Sequence, residues 1–263
     1  MKVGFYQFNP LFGRKHVNLE KVTEATREAQ MDLLVLPELF ATGYQFTSKA
    51  EALNLSEPVP EGETTQAMVR LSREQNIHIV AGLAEQDGER LYNSAVITGP
   101  NGFIGVYRKT HLFFEEKLWF EPGDSGFRVF DTSVGRIGIM ICFDWVFPES
   151  MRTLTLMGAE IICHPANLVL PWCPSAMPIR SLENRVFAVT ANRIGSECRT
   201  ADQCLTFIGT SQITAPDGSI LARAPEQEEA LITVDVDLAM AANKRLNPYN
   251  HLLEDRRPEF YKC

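Results

Sequence analysis

The stretch of sequence that decides the fold is IGIMICFDWVFPE, residues 137–149. Its first five residues form an apolar run, typical of a strand buried on both faces of a sheet. Pro148 suits the first turn of a helix, where its missing N–H needs no partner. Cys142 is therefore expected where a buried strand turns into a helix, at the sheet edge where open α/β folds hold ligands.

A thiol in this position can act as a nucleophile, because backbone N–H groups on either side of it can stabilise an oxyanion. The alternative for Cys142 is a buried core cysteine, which is the commoner role of a cysteine after an apolar run. Two other segments of the chain favour the catalytic interpretation.

Glu38 and Lys109 also stand where predicted strands end. Glu38 follows the buried strand at 33–36 and is flanked by Leu39 and Phe40. A carboxyl group among apolar side chains has a raised pKa, which suits a general base working near neutral pH. Taken alone, such a glutamate is usually a cap or a solvated loop residue, and such a lysine usually extends into water.

Taken together and in this order, the three segments resemble the nitrilase superfamily of carbon–nitrogen hydrolases. The motifs that carry the resemblance are LPELF at 36–40, YRKTHLF at 107–113 and CFDW at 142–145. Further similar stretches occur at 92–95 and 183–193, so the resemblance extends over essentially the whole chain.

Strands alternate with helices along the chain, and turns such as 99–102 join strands into hairpins, which indicates mixed sheets. The resemblance implies a four-layer αββα sandwich, two mixed β-sheets with helices outside, as a single domain over residues 1–263. It also implies that the tail at 243–263 lies at a subunit interface. We expect a homodimer formed through the helices that follow Cys142 and lie near Arg180.

The resemblance implies a role for each residue of the three motifs. Cys142 is expected to be the nucleophile, and Glu38 the general base that takes its proton and later activates water. Lys109 and the backbone N–H of Phe143 are expected to stabilise the oxyanion. The charge of Lys109 is also expected to favour the Cys142 thiolate.

The resemblance further implies a second glutamate in the pocket, which would hold Lys109 and orient the substrate or the attacking water. Glu116 is favoured over Glu115 by its spacing to the turn at 122–123, although either could be a solvated loop charge. The residues expected to bind the substrate are Tyr44, Phe143, Trp145 and Asn167.

These residues predict an enzyme that cleaves a small aliphatic carboxamide to acid and ammonia through a thioester. Two alternatives use the same triad: a nitrilase acting on a small nitrile, and an N-carbamoyl amidohydrolase. A third alternative is a catalytically idle member that acts as a binding or regulatory subunit. The physiological substrate does not follow from the sequence.

Composition agrees with an enzyme acting on small molecules without a cofactor. The chain has 263 residues, 45% of them hydrophobic, which is ample for a sizeable core. Its net charge of −8 speaks against binding to nucleic acid or to an acidic membrane. No apolar stretch approaches a membrane span, and the chain starts on a strand pattern, so we expect a cytoplasmic protein.

The cysteines and histidines predict neither a metal site nor a disulfide framework. None of the six cysteines has the close spacing of metal ligands, and this usage suits a reducing compartment. Cys198 and Cys204 are expected in a polar loop, a disulfide or metal site being the less favoured alternative. His111 or His164 would be the base of a Cys/His protease, but Glu38 already fits that role. His164 is instead expected to make a buried structural hydrogen bond.

Overall fold

Two six-stranded β-sheets form the centre of the fold, which the computed structural model describes over residues 1–261. The strands are β1 (Lys2–Gln7), β2 (Leu33–Val35), β3 (His78–Asp87), β4 (Arg90–Gly99), β5 (Gly102–Arg108), β6 (Val129–Thr132), β7 (Gly135–Ile139), β8 (Ile161–Pro165), β9 (Phe187–Ala191), β10 (Ser196–Glu197), β11 (Leu205–Thr206), β12 (Gln212–Thr214), β13 (Ile220–Arg223) and β14 (Ala230–Asp235). The α-helices are α1 (Lys15–Thr26), α2 (Lys49–Leu55), α3 (Glu63–Gln75), α4 (Glu116–Trp119), α5 (Pro148–Leu156), α6 (Cys173–Asn184) and α7 (Ala239–Ala242). Short 3₁₀ helices cover Cys142–Val146 and Pro258–Phe260.

The two sheets share one plan, in which three parallel strands are flanked by antiparallel ones. The first sheet has the order β14-β1-β2-β3-β4-β5, with β1, β2 and β3 parallel. The second has the order β13-β12-β9-β8-β7-β6, with β7, β8 and β9 parallel. The hairpins of β3, β4 and β5, of β6 and β7, and of β12 and β13 add antiparallel strands, and β14 pairs antiparallel with β1, so both sheets are mixed, as the sequence predicted.

Alternating side chains divide each strand of the first sheet between two cores. In β1, Val3 and Phe5 pack in one apolar cluster with residues of the second sheet, such as Ile139. Tyr6, from the opposite face, packs in another cluster with Leu19 of α1 and with residues of α3. Because successive residues of a strand face opposite sides, both faces of this sheet are buried.

Helices α5 and α6 cover the outer face of the second sheet. Met151 and Leu154 of α5 and Met177 of α6 are buried in the same cluster as the strands beneath them. The layers therefore run helix, sheet, sheet, helix, and the expected αββα sandwich is confirmed. None of the helices in residues 1–261 combines the length and apolar character that crossing a bilayer requires.

Helix α2 was not predicted from the sequence, although a local signal for a helix start was present. Helix α2 begins after Ser48, whose hydroxyl accepts a hydrogen bond from the N–H of Glu51 at 3.1 Å. The carboxylate of Glu51 in turn accepts from the N–H of Thr47 at 2.9 Å. This reciprocal pattern is close to the capping box that marks helix starts in sequences.

The expectation for Cys198 and Cys204 was wrong, because the structure joins them in a disulfide. Strands β10 and β11 pair as an antiparallel hairpin, with Glu197 opposite Leu205. That register places the next residue on each side, Cys198 and Cys204, opposite each other. The short hairpin gave no strong strand pattern in the sequence. The reducing, cytoplasmic compartment inferred from the cysteines stays a prediction.

The predicted tail at 243–263 is described only up to residue 261. It begins after α7, and its aromatic side chains are exposed, with Tyr249 at 92% and Phe260 at 72% of their accessible surface. Residues 262 and 263 of the predicted tail lie outside the described residues.

Strand β3 passes directly against the segment that follows β2. Gly82 accepts a hydrogen bond from the N–H of Phe40 at 3.2 Å, and a Cβ on Gly82 would lie 2.5 Å from the Cα of Glu38. Only glycine permits this close approach without moving the backbone at Glu38.

We expect Gly82→Ala to lower stability by about 1–3 kcal/mol and to reduce activity, since overpacking displaces Glu38. The measurements are thermal unfolding and kcat/KM. Gly88→Ala is the matched control: Gly88 has a φ of +59° but nothing within 4 Å of the added Cβ. That control should lose stability and keep its activity. Equal losses of activity in both variants would contradict the proposed clash.

Candidate active site

A lysine buried between two carboxylates forms the centre of the site. Lys109 is 1% exposed, and its Nζ donates to Glu38 Oε1 at 2.6 Å and to Glu116 Oε1 at 2.7 Å. Asn93 Nδ2 donates to Glu38 Oε1 at 2.7 Å and reaches Glu116 Oε2 at 3.4 Å. Two of the motifs named in the sequence analysis therefore meet in one hydrogen-bonded cluster.

Strand ends and short turns hold this cluster in place. Glu38 lies just beyond β2, and Lys109 just beyond β5, where its N–H donates to the carbonyl of Asn93 at 2.8 Å. Glu116 opens α4, and its carboxylate accepts from the N–H of Phe113 at 3.3 Å and from the hydroxyl of Tyr44 at 2.7 Å.

The structure distinguishes the two candidate glutamates. Glu116 is 4% exposed and contacts Lys109, whereas Glu115 is only partly buried and has no hydrogen bond to Lys109. The spacing argument that favoured Glu116 therefore agrees with the geometry.

Cys142 opens the 3₁₀ helix beyond β7, with a positive φ of 40°. This conformation is strained for a residue with a side chain, so the surrounding structure must hold it. Asp144 stabilises this turn. Its carboxylate accepts hydrogen bonds from the N–H of Ile141 at 2.9 Å, from the Tyr107 hydroxyl at 2.8 Å and from the N–H of His111 at 3.1 Å.

Burial and the neighbouring charges set the protonation states. Burial raises the pKa of Glu38 to about 7, partly opposed by Lys109 and reinforced by the charge of Glu116. Burial lowers the pKa of Lys109, but the charges of Glu116 and Glu38 outweigh it and raise that pKa above its ordinary value. Lys109 therefore stays a cation at neutral pH.

Lys109 was expected to favour the Cys142 thiolate, and its charge does act in that direction without being the dominant effect. Burial, followed by the charge of Glu38, raises the pKa of Cys142 well above its ordinary value. The charge of Lys109 lowers that pKa, as expected, but does not outweigh the other two effects. Cys142 is thus a neutral thiol at rest and needs a base before it can attack.

A small cavity of about 170 Å³ opens onto Cys142. Its walls are formed by Phe113, Cys142, Phe143, Trp145, Val146, Asn167, Leu168, Val169, Leu170 and Trp172. The cavity includes three of the four residues expected to bind the substrate. The fourth, Tyr44, does not line it and instead donates to Glu116. A larger depression of about 480 Å³ lies beside Phe143, but Cys142 is not among its lining residues.

The histidine near the nucleophile has the structural role that the sequence suggested. His164 is fully buried, with Nε2 at 2.9 Å from the carbonyl oxygen of Cys142 and Nδ1 at 3.1 Å from the Thr190 hydroxyl. Burial lowers its pKa to about 4, so the ring is neutral near pH 7. No group of His, Cys, Asp and Glu within residues 1–261 is arranged to hold a metal ion.

Sequence reasoning gave no role to Asn93 and Asp144, which hold the cluster and the cysteine turn. Asn93 belongs to a stretch that contributed to the family resemblance, and it is a buried amide within β4. A polar side chain at a buried strand position is a signal that could have identified it. Asp144 follows the cysteine by two residues and was noted only as part of the motif.

Comparison with known proteins identifies the family. A sequence model of the carbon–nitrogen hydrolases matches residues 2–245. The chain belongs to the carbon–nitrogen hydrolase family. It is 50% identical over 264 residues to a protein named nitrilase from Pyrococcus abyssi, with 99% of each chain covered.

Two further relatives of this carbon–nitrogen hydrolase agree with the assignment. An (R)-stereoselective amidase from Pseudomonas sp is 34% identical, over 98% of this chain and 92% of the relative. The crystal structure of a carbon–nitrogen hydrolase from Helicobacter pylori G27 superposes with a TM-score of 0.89 at 26% identity, over 99% of this chain and 96% of that one. The resemblance to the nitrilase superfamily is confirmed: the protein is a hydrolase of carbon–nitrogen bonds other than peptide bonds.

The two glutamates provide a matched test of the cluster. We expect Glu116→Gln to lower kcat/KM about 100-fold or more, because Lys109 loses one of its two charged partners. Glu115→Gln, one position away and without contact to Lys109, should leave kcat/KM unchanged. Steady-state kinetics on one substrate decides the point, and an equal loss in both variants would contradict the role given to Glu116.

Proposed function

We propose that this protein hydrolyses small aliphatic carboxamides to the carboxylic acid and ammonia through a thioester on Cys142. The observation that carries the proposal is the buried Glu38–Lys109–Glu116 cluster, whose charges act on a neutral thiol. The site thus offers a nucleophile, a base whose pKa lies near neutral pH, and a fixed cation.

In the first half of the reaction, Glu38 takes the thiol proton as the sulfur of Cys142 bonds to the substrate carbonyl carbon. Lys109 and the N–H of Phe143 stabilise the oxyanion that forms. When the intermediate collapses, the C–N bond breaks, and the nitrogen takes the proton from Glu38 and leaves as ammonia.

In the second half, Glu38 accepts a proton from water as the water oxygen attacks the thioester carbonyl. The oxyanion forms again beside Lys109. Its collapse breaks the bond to the sulfur of Cys142, which recovers a proton from Glu38, and the carboxylic acid leaves. Atoms and protons balance over one turnover, and the base returns to its ionised form.

Proton transfer to Glu38 also prepares Lys109 for the oxyanion. Before the attack, two carboxylates share the Lys109 ammonium, at 2.6 and 2.7 Å. Once Glu38 is protonated, its attraction for the ammonium weakens, and the new oxyanion can take its place. Glu116 keeps Lys109 charged and in position throughout, which is the role we propose for this second carboxylate.

The cavity supports a small and mainly aliphatic acyl group. Its volume of about 170 Å³ lies below the range of roughly 300–1,000 Å³ typical of pockets for drug-sized ligands. Its walls are mostly apolar side chains, and Arg180 is engaged elsewhere, with the carbonyls of Trp145 and Val146 and with Glu183.

A second candidate function is hydrolysis of a small nitrile, which the relative from Pyrococcus abyssi named nitrilase supports. The same nucleophile, base and cation would serve that reaction. Cleavage of an N-carbamoyl compound is a further amide-like alternative that the cluster alone does not separate from the first.

We also propose that the protein is a homodimer that pairs through α5 and α6. Apolar side chains on these helices are exposed, including Leu156 at 45%, Ile179 at 55% and Leu182 at 44%. Burying them against a second copy would extend the four layers across the interface. The exposed aromatic residues of the tail from residue 243 are proposed to contact the same partner.

Ammonia release from short aliphatic amides, the matching nitriles and N-carbamoyl compounds tests the proposed reaction. We expect turnover of the amides, and its loss in Cys142→Ala. Cys163→Ala is the matched control, because Cys163 is fully buried in β8 and has no part in the mechanism. Turnover of nitriles alone would favour the second candidate. A cellular phenotype that survives Cys142→Ala would point to a binding or regulatory role instead.

The pH profile tests the assignment of the base. Protonated Glu38 cannot accept the thiol proton, so kcat/KM should fall as pH decreases, with an apparent pKa near 7. In Glu116→Gln the acid limb should move to lower pH, because the charge of Glu116 raises the pKa of Glu38. An acid limb near 4.3, the value of a free glutamate, would argue against a buried base.

A further inference from the structure

Asn167 has one hydrogen-bonding group that the protein does not use. It lies just beyond β8, is 3% exposed, and donates from Nδ2 to the carbonyl oxygen of Glu38 at 2.9 Å. Because the amide nitrogen must face that carbonyl, the position of Oδ1 is fixed as well. No donor in residues 1–261 makes a hydrogen bond to this buried Oδ1.

The unused acceptor belongs to a residue placed between Glu38 and Cys142. The backbone N–H of Asn167 acts on Cys142 by lowering a thiol pKa that burial raises. Asn167 also lines the cavity of about 170 Å³ onto which Cys142 opens. One residue therefore shares a cavity wall with Cys142 and bonds through its Nδ2 to the backbone of Glu38.

Buried acceptors are nearly always paired in folded proteins, so an unpaired one beside a nucleophile points to a donor on the ligand. Glu38 Oε2 is also without a protein partner. That oxygen is free to receive the thiol proton. Oδ1 of Asn167 has no such role in the chemistry, and an amide oxygen accepts hydrogen bonds without taking up a proton.

We propose that Asn167 Oδ1 accepts a hydrogen bond from the NH₂ group of the substrate and selects primary carboxamides over substrates without N–H. This inference rests on the proposed amide hydrolysis and names its specificity residue. A carboxamide nitrogen carries two N–H donors, whereas the nitrogen of a nitrile and the leaving oxygen of an ester carry none. A site built to bond an N–H disfavours an analogue that lacks it.

The same hydrogen bond orients the leaving group. In the tetrahedral intermediate, one N–H donates to Asn167 Oδ1, which leaves the nitrogen lone pair free to face Glu38. The proton that Glu38 took from the thiol then moves to that nitrogen, the C–N bond breaks, and ammonia leaves. Asn167 neither gains nor loses a proton in this step.

The test compares a primary amide with the methyl ester of the same acid in the wild type and in Asn167→Leu. The ester forms the same thioester but offers no N–H. We expect the ratio of kcat/KM for amide to kcat/KM for ester to fall about 10- to 100-fold in the variant. Loss of the Nδ2 bond to Glu38 slows both substrates alike, so the ratio isolates the acceptor.

Trp145→Phe is the matched control, because it alters the same cavity without removing an acceptor and should change both substrates by the same factor. If Asn167→Leu does not fold, Asn167→Ala gives the same comparison, because it also removes the acceptor. An unchanged ratio would overturn the role of Asn167 while leaving amide hydrolysis in place. A wild type that releases no ammonia from any amide would overturn the proposed function and this inference together.

Discussion

The ammonium group of Lys109, shut away from water between two carboxylates, is the constraint on which the site depends. A buried charge is stable only when it is paired and hydrogen-bonded, so Glu38 and Glu116 must both be in place. Burial raises the pKa values of Glu38 and Cys142, the charge of Glu116 adds to both, and the charge of Lys109 opposes both. Glu38 and Cys142 thus owe their resting protonation states to their burial and to the same group of charges.

Two features of the fold place this cluster beside the thiol. Glu38 and Cys142 each follow the end of a buried strand, and close backbone packing against Gly82 fixes the position of Glu38. Positive φ angles at Leu39 and Cys142 show that both strand ends turn sharply. The turn at Cys142 is held by Asp144, whose carboxylate accepts from Ile141 within the same turn, from Tyr107 at the end of β5 and from His111 in the segment that follows β5.

Much of this arrangement could be predicted from the sequence, and the parts that could not have a physical explanation. Glu38, Lys109 and Cys142 stand after strong apolar patterns, so their positions at strand ends could be derived locally. The protonation state of the thiol could not be derived, since it depends on how burial and three charges combine in space. The disulfide was missed because a hairpin whose strands are only two residues long leaves almost no hydrophobic pattern in the sequence.

The proposed catalytic groups come from different sheets, which has a consequence for how the protein responds to substitution. Glu38, Lys109 and Asn93 belong to segments of the first sheet, whereas Cys142 and Asn167 follow strands of the second. The apolar layer between the sheets sets the distance from Glu38 to the sulfur of Cys142, together with the hydrogen bonds of Asp144 and Asn167 that cross between the two sheets. Substitutions deep in that layer, far from any substrate, therefore act on turnover as well as on folding.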